Sequence, residues 1–445
     1  MDPTEKGLMR KVVAGWWIVF ASAMIVIGAL GCASTTDTTD NGSPGLASDP
    51  ETDPAYVGLT LEPPASSIST IQLYRDPDEA SLPLIVVGTD QALVLEFDLI
   101  GKDGRPLRIG FKHFNRRWVD DYLQPVEYMA GGIEDEVINY RRSLASRSNY
   151  AHYTYSFPNA SIQFKRSGNY LLTVSDPGTG AVMFQAPFLV SEESSDLAYE
   201  LRAVPMPGAS GLWSQPVVYI DPGDQFGRDL FDWGACFVKN TRFDLARCSS
   251  RPSLFEAPYA SFSLEPRDSF EPDPDFHIVD LSELRRGVDI DDVTHESTPI
   301  EVALVPDQAD LGGTEVSFQN GQSTVSGSVI DVANPDVEAE YVHATFRYIP
   351  YRSQQADGDV IVTGSFNRWV LDAANRLVWN EAEGLYQGAI LLKQGVHAYQ
   401  YHISGPRPSS SGAFAPESSY TALLYYFDPV IHVDRLIAVR SRIAP

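Results

Sequence analysis

Three side chains in the first half of the sequence have types that could bind or react: His113, Trp118 and His152. An imidazole changes charge near neutral pH and ligates metals. An indole offers a broad apolar face and one donor. Their surroundings favour structural roles. His152 lies on the strand face opposite Tyr153 and Tyr155, and His113 shares a face with Phe111. A histidine so placed is more often a hydrogen-bonded structural residue than a ligand, and Trp118 reads as a core aromatic whose N–H finds a carbonyl. The acidic run Glu271-Pro272-Asp273-Pro274-Asp275 lacks both the D-x-D-x-D-G register and the distal Glu of a calcium loop, so it reads as a solvated connection. No nucleophile elbow, P-loop, paired metal-ligand histidines or dinucleotide fingerprint occurs. The expectation is a protein with no catalytic, cofactor or metal residues.

The cysteines are informative. There are 3 Cys, at Cys32, Cys236 and Cys248. Lys6, Arg10 and Lys11 precede the uncharged run Val12 to Gly31, the pattern of a secretory signal, and the Gly31-Cys32 ending is similar to a lipobox. Cys32 would then carry lipid, and Ala33-Ser34, without an inner-membrane Asp, points to the outer membrane. The run is also long enough to remain as an uncleaved anchor. With Cys32 lipidated, Cys236 and Cys248 form an even pair around a hairpin-like Lys239-Asn240-Thr241. An oxidising periplasm would join them as a disulfide contributing about 2–4 kcal/mol. Two separate buried thiols are the alternative.

Positioning such residues falls to strands. Ala151, Tyr153, Tyr155 and Phe157 alternate with His152, Thr154 and Ser156, and Ser167-Gly168-Asn169 then turns the chain into Tyr170 to Val174. Short turns between alternating runs predict an all-β chain of tandem immunoglobulin-like β-sandwich domains. We expect a signal peptide at 1–31, a Ser/Thr/Asp-rich flexible tether at 32–55, and domains at 56–194, 195–335 and 336–445. The formal net charge of -26 opposes nucleic acid or an anionic bilayer surface as partner.

The order TIQLY, PLIVVGTDQALVLEFD, HFNRRW, YMAGG, NYRRS, YAHYTYSFPN, SGNYLLTV and APFLV resembles the N-terminal domain of the type IX secretion system plug proteins. Phe114 stands where that family usually has Cys, and Gln185-Ala186 where it has a basic pair. The C-terminal GSFNRW and LLKQG blocks resemble the same family. The resemblance implies a periplasmic, non-enzymatic plug that occludes the outer-membrane translocon β-barrel when no cargo is engaged; a lipidated Cys32 would hold it to the lipid bilayer. GSFNRW also resembles glycogen- and starch-binding immunoglobulin-like modules. That likeness implies Trp369, Trp379 and Lys393 as sugar contacts, and a cell-envelope carbohydrate-binding lipoprotein as the alternative function.

Overall fold

The structure is a computed structural model describing residues 56–444, except 102, 145, 207–211, 223–225, 227–228, 253, 257–258, 272–276, 310–322, 326–331 and 404–417; of 254–256 only the backbone is described. The expected signal peptide, tether and Cys32 lie outside the described residues. The regular structure described is nearly all strand, as the alternation predicts.

The first sandwich uses β1 (Ile68–Arg75), β2 (Leu84–Val86), β3 (Leu93–Ile100), β4 (Leu107–Phe114), β5 (Met129–Gly131), β6 (Glu134–Val137), β7 (Tyr140–Arg142), β8 (Tyr150–Phe157), β9 (Ile162–Phe164), β10 (Gly168–Ser175) and β11 (Val182–Ser191). One sheet runs β1-β3-β8-β7 and the facing sheet β2-β11-β10-β4-β6. Leu95 and Phe97 of β3 meet Tyr153 and Phe157 of β8 and Phe184 and Phe188 of the facing sheet. The Phe97 and Tyr153 rings stack with centroids 4.8 Å apart. Burying each such side chain contributes roughly 1.5–3 kcal/mol. Gly168 opens β10 at φ 143, where an added Cβ would lie 2.3 Å from His113 Nε2. Only glycine fits that turn.

The second sandwich begins with β12 (Leu197–Pro205), β13 (Leu212–Ile220), β14 (Trp233–Lys239), β15 (Arg247–Ser249), β16 (Leu254–Glu256) and β17 (Tyr259–Ser263). One of its sheets, β12-β13-β17-β16, is complete at that point; the other is not. The chain first builds the third sandwich from β18 (His277–Asp280), β19 (Ile290–Thr294), β20 (Ile300–Leu304), β21 (Asp307–Gln308), β22 (Tyr341–Ile349), β23 (Val360–Gly364), β24 (Arg376–Asn380), β25 (Leu385–Lys393) and β26 (Val396–Ile403). These form a single sheet, β18-β26-β23-β24-β25-β22-β20-β19 with β21 also paired to β22, wrapped around Val302, Phe346, Val360, Leu392 and Tyr401. β27 (Ser418–Asp428) and β28 (Val433–Ala444) then return, giving the sheet β15-β14-β27-β28.

This pairing differs from the division expected at residue 335. Strands between 277 and 308 join the third sandwich, and those between 418 and 444 join the second. Alternation shows that a segment is a strand with one buried face; it carries no information about which distant strand supplies its hydrogen bonds.

The first and second sandwiches meet through an apolar patch edged by ion pairs, Arg435 with Glu192, Arg440 with Glu193 and Arg116 with Asp434. Leu171 and Leu189, on the outer face of β10 and β11, pack with Trp118 against Cys236, Val238, Leu423 and Leu436. Cys236 and Cys248 are opposite each other in the β14–β15 pair and are disulfide-bonded.

Candidate functional site: a buried polar seam

The first and third sandwiches meet through charge. In β3 the residues Glu96 and Asp98 are two apart, so both point away from the core that holds Leu95 and Phe97. Register places His152 of β8 directly across from Asp98, and Gln72 of β1 across from Glu96. In an isolated domain this polar face would be wet. Here the third sandwich covers it, leaving Asp98 0%, His152 4% and Glu96 8% exposed.

The covering groups come from the start of β22 and the end of β25, where Tyr341 and Lys393 are cross-strand partners. Lys393 Nζ donates to Asp98 Oδ2 at 2.7 Å and to the Asp336 carbonyl at 2.7 Å. Tyr341 donates its hydroxyl proton to Asp98 Oδ2 at 2.7 Å and receives one from Thr70, also at 2.7 Å. Thr70 sits in the β1 bulge at φ 51, a costly conformation for a β-branched residue. The bulge turns its hydroxyl toward the third sandwich. His152 Nδ1 donates to Asp98 Oδ1 at 2.8 Å, and Tyr150 donates to the Ala339 carbonyl at 2.9 Å. The Lys393 ammonium also lies 4.5 Å from the Tyr150 ring centroid.

Burial alone would raise the Asp98 carboxyl, but the Lys393 ammonium and the His152 imidazole outweigh it and hold the group below the usual carboxylate range. Burial likewise works against a charged His152, yet its contacts with Asp98 and Glu96 prevail and raise it to about 9. Beside them, His397 donates Nε2–H to the Lys393 carbonyl at 2.7 Å, and its Nδ1 lies 2.8 Å from Ser323 Oγ. Burial lowers that imidazole to about 4. The two imidazoles are thus pushed in opposite directions by their surroundings.

Each residue singled out from sequence has a defined place. His113 is buried in the first sandwich, with Nδ1 2.5 Å from Asp121 Oδ2 and Nε2 donating to the Ser167 carbonyl at 3.1 Å. Trp118 packs in the apolar joint beside Phe243. Lys393 is committed to Asp98, Trp369 is 7% exposed and packs on Ala398, and Trp379 leans on Tyr386 against the third core. The three candidate sugar contacts thus occupy three different surroundings. The GSFNRW turn itself has a structural explanation. Asn367 accepts from Gly364 N–H at 2.8 Å, and a Cβ on Gly364 would stand 2.5 Å from the Ala398 carbonyl oxygen. The seam residues Glu96, Asp98, Asp336 and Tyr341 were not singled out from sequence. Two carboxylates on one face of the otherwise apolar LVLEFDLI are the signal that could have found them.

Residues 68–192 match the family of the type 9 secretion system plug protein 1st domain. That is the family the sequence resembles, and the match spans the first sandwich from β1 to the end of β11. The fold as a whole has a solved counterpart. The crystal structure of a hypothetical protein from Parabacteroides merdae ATCC 43184 superposes with a TM-score of 0.77 at 22% identity, covering 88% of this chain and 100% of that one. At that identity the likeness concerns the fold. No curated protein matches the chain. No helix among the described residues is long and apolar enough to cross a membrane.

Proposed function

We propose that this protein is a plug of the type IX secretion system: a cell-envelope protein, held at the periplasmic side of the outer membrane through a lipidated Cys32, that occludes the translocon β-barrel when no cargo is engaged. The plug-domain match over residues 68–192 carries this reading. The architecture suits it. Three sandwiches packed together through apolar and charged contacts form a bulky body, as obstruction of a pore requires. Docking on the barrel requires an interface of ordinary size, roughly 1,200–2,000 Å² in total. Release requires affinity that a competing state can overcome, and a lipid tether keeps the local concentration high enough for re-closure. The protein works by obstruction, without a reaction of its own.

Deleting the protein in a strain with an active translocon should make cells permeable to large antibiotics. The tagged protein should co-purify with a very large outer-membrane barrel. Unchanged permeability together with no barrel in the purified material would sink the proposal.

A further inference from the structure

We propose that Glu96, His152 and Asp336 form a binding site for a divalent transition-metal ion, zinc by the chemistry of its donors, which staples the plug domain to the third sandwich. The three offer one imidazole nitrogen and two carboxylate oxygens, all within 4.8 Å of one another. His152 Nε2 is buried and has no hydrogen-bond partner. Glu96 Oε1 stands 3.6 Å from it, beyond a hydrogen bond. Two donors on a tetrahedral zinc, each about 2.0–2.1 Å from the metal, stand about 3.3 Å apart. The observed gap is close to that span.

The surrounding groups are those a metal-bound histidine needs. Asp98 takes the Nδ1 proton of His152, fixing the ring so that Nε2 points to the opposite side. Tyr74 donates to Glu96 Oε2 at 3.1 Å, and Arg141 donates to Asp336 Oδ2 at 2.9 Å, so both candidate ligands are themselves oriented. Charge points the same way. Among the described residues Lys393 pairs with Asp98 and Arg141 with Asp336, while Glu96 forms its ion pair with the His152 imidazole and needs a positive charge there. A proton on the imidazole would supply it; so would a divalent cation. The imidazole donor disfavours calcium and magnesium, which take oxygen shells. Glu96 and His152 come from the plug domain and Asp336 from the turn before β22, so the ion would bridge the two sandwiches.

The test uses the full chain, stripped with a chelator and titrated with cobalt(II). The expected result is a single cobalt per chain, with visible ligand-field bands that zinc abolishes. Binding should weaken on the order of tenfold or more in Glu96→Gln and in Asp336→Asn, with near-UV circular dichroism verifying each fold. X-ray absorption on the zinc-loaded wild-type chain needs no variant and should show a lone imidazole with carboxylate oxygens. Absence of cobalt bands in the wild-type chain, equal binding by both folded variants, or a zinc shell with several imidazoles overturns the proposal; in the first case His152 carries only a proton.

Discussion

The first sandwich meets the second through an apolar patch with ion pairs at its edge, and the third through a fully buried charged cluster. Toward the second sandwich it presents Leu171, Leu189 and Trp118, and toward the third Glu96, Asp98 and His152. An apolar contact is non-directional and scales with the area removed from water. A buried charged contact contributes less than its Coulomb energy suggests, because desolvation offsets most of the attraction. It is also intolerant of misalignment, since every unpaired group costs. The difference suggests a division of labour in which the apolar joint supplies cohesion and the charged seam fixes orientation.

The seam is the side to break first. Lys393→Met removes the ammonium that pairs with buried Asp98 and should cost about 3–5 kcal/mol in denaturant unfolding. Adding Asp98→Leu should recover part of that loss, because the orphaned charge is gone. A single-variant loss below about 1 kcal/mol would mean that water reaches the seam. At the apolar joint, Leu436→Ala, at a fully buried position, should cost about 3 kcal/mol through transfer and cavity effects. That cost should be the same across mildly acidic pH.

Acid provides a finer discrimination. His397 is held neutral, lowered from 6.5 to about 4. The unfolded chain therefore takes up a proton that the folded chain refuses. The resulting stability is complete above pH 6.5 and is lost progressively as pH falls toward 4, by at most about 3 kcal/mol. Asp98, also lowered, acts in the same direction at lower pH. Titrating unfolding free energy should reveal this slope in the parent, and His397→Gln should flatten its upper part. The smallest effect belongs to the rim of the seam. Arg141 and Asp336 have side chains 48% and 21% exposed, so Arg141→Ala should cost under about 1 kcal/mol, an amount that 1 M salt should largely erase.

The two joints were not equally legible. The strands around Tyr153 and Tyr155, the turn at Gly168 and the opposite orientation of His152 all follow from local alternation, and the structure places each accordingly. Cys236 and Cys248 were readable as a pair because cysteines are few. The seam was not. Asp98 and Lys393 are 295 residues apart, and polar residues alternating with Leu95 and Phe97 look the same whether they face water or another domain. Lys393 reads as a sugar donor only through the likeness of the separate GSFNRW turn to sugar-binding modules. Burial beside a carboxylate from another sandwich is a property of the assembled body.

The return of β27 to β14 bears on how this chain must be handled before it works. Trp233 pairs with Tyr426, and every rung of that ladder joins segments made far apart in time during synthesis. The loop that must close is long, and such closures are slow and entropically costly. Until the final hairpin arrives, β14 offers an unprotected edge to any passing strand. Chaperoning across an envelope compartment would have to last until the tail emerges, and a product cut short before Ser418 should aggregate through its middle, far from the missing end.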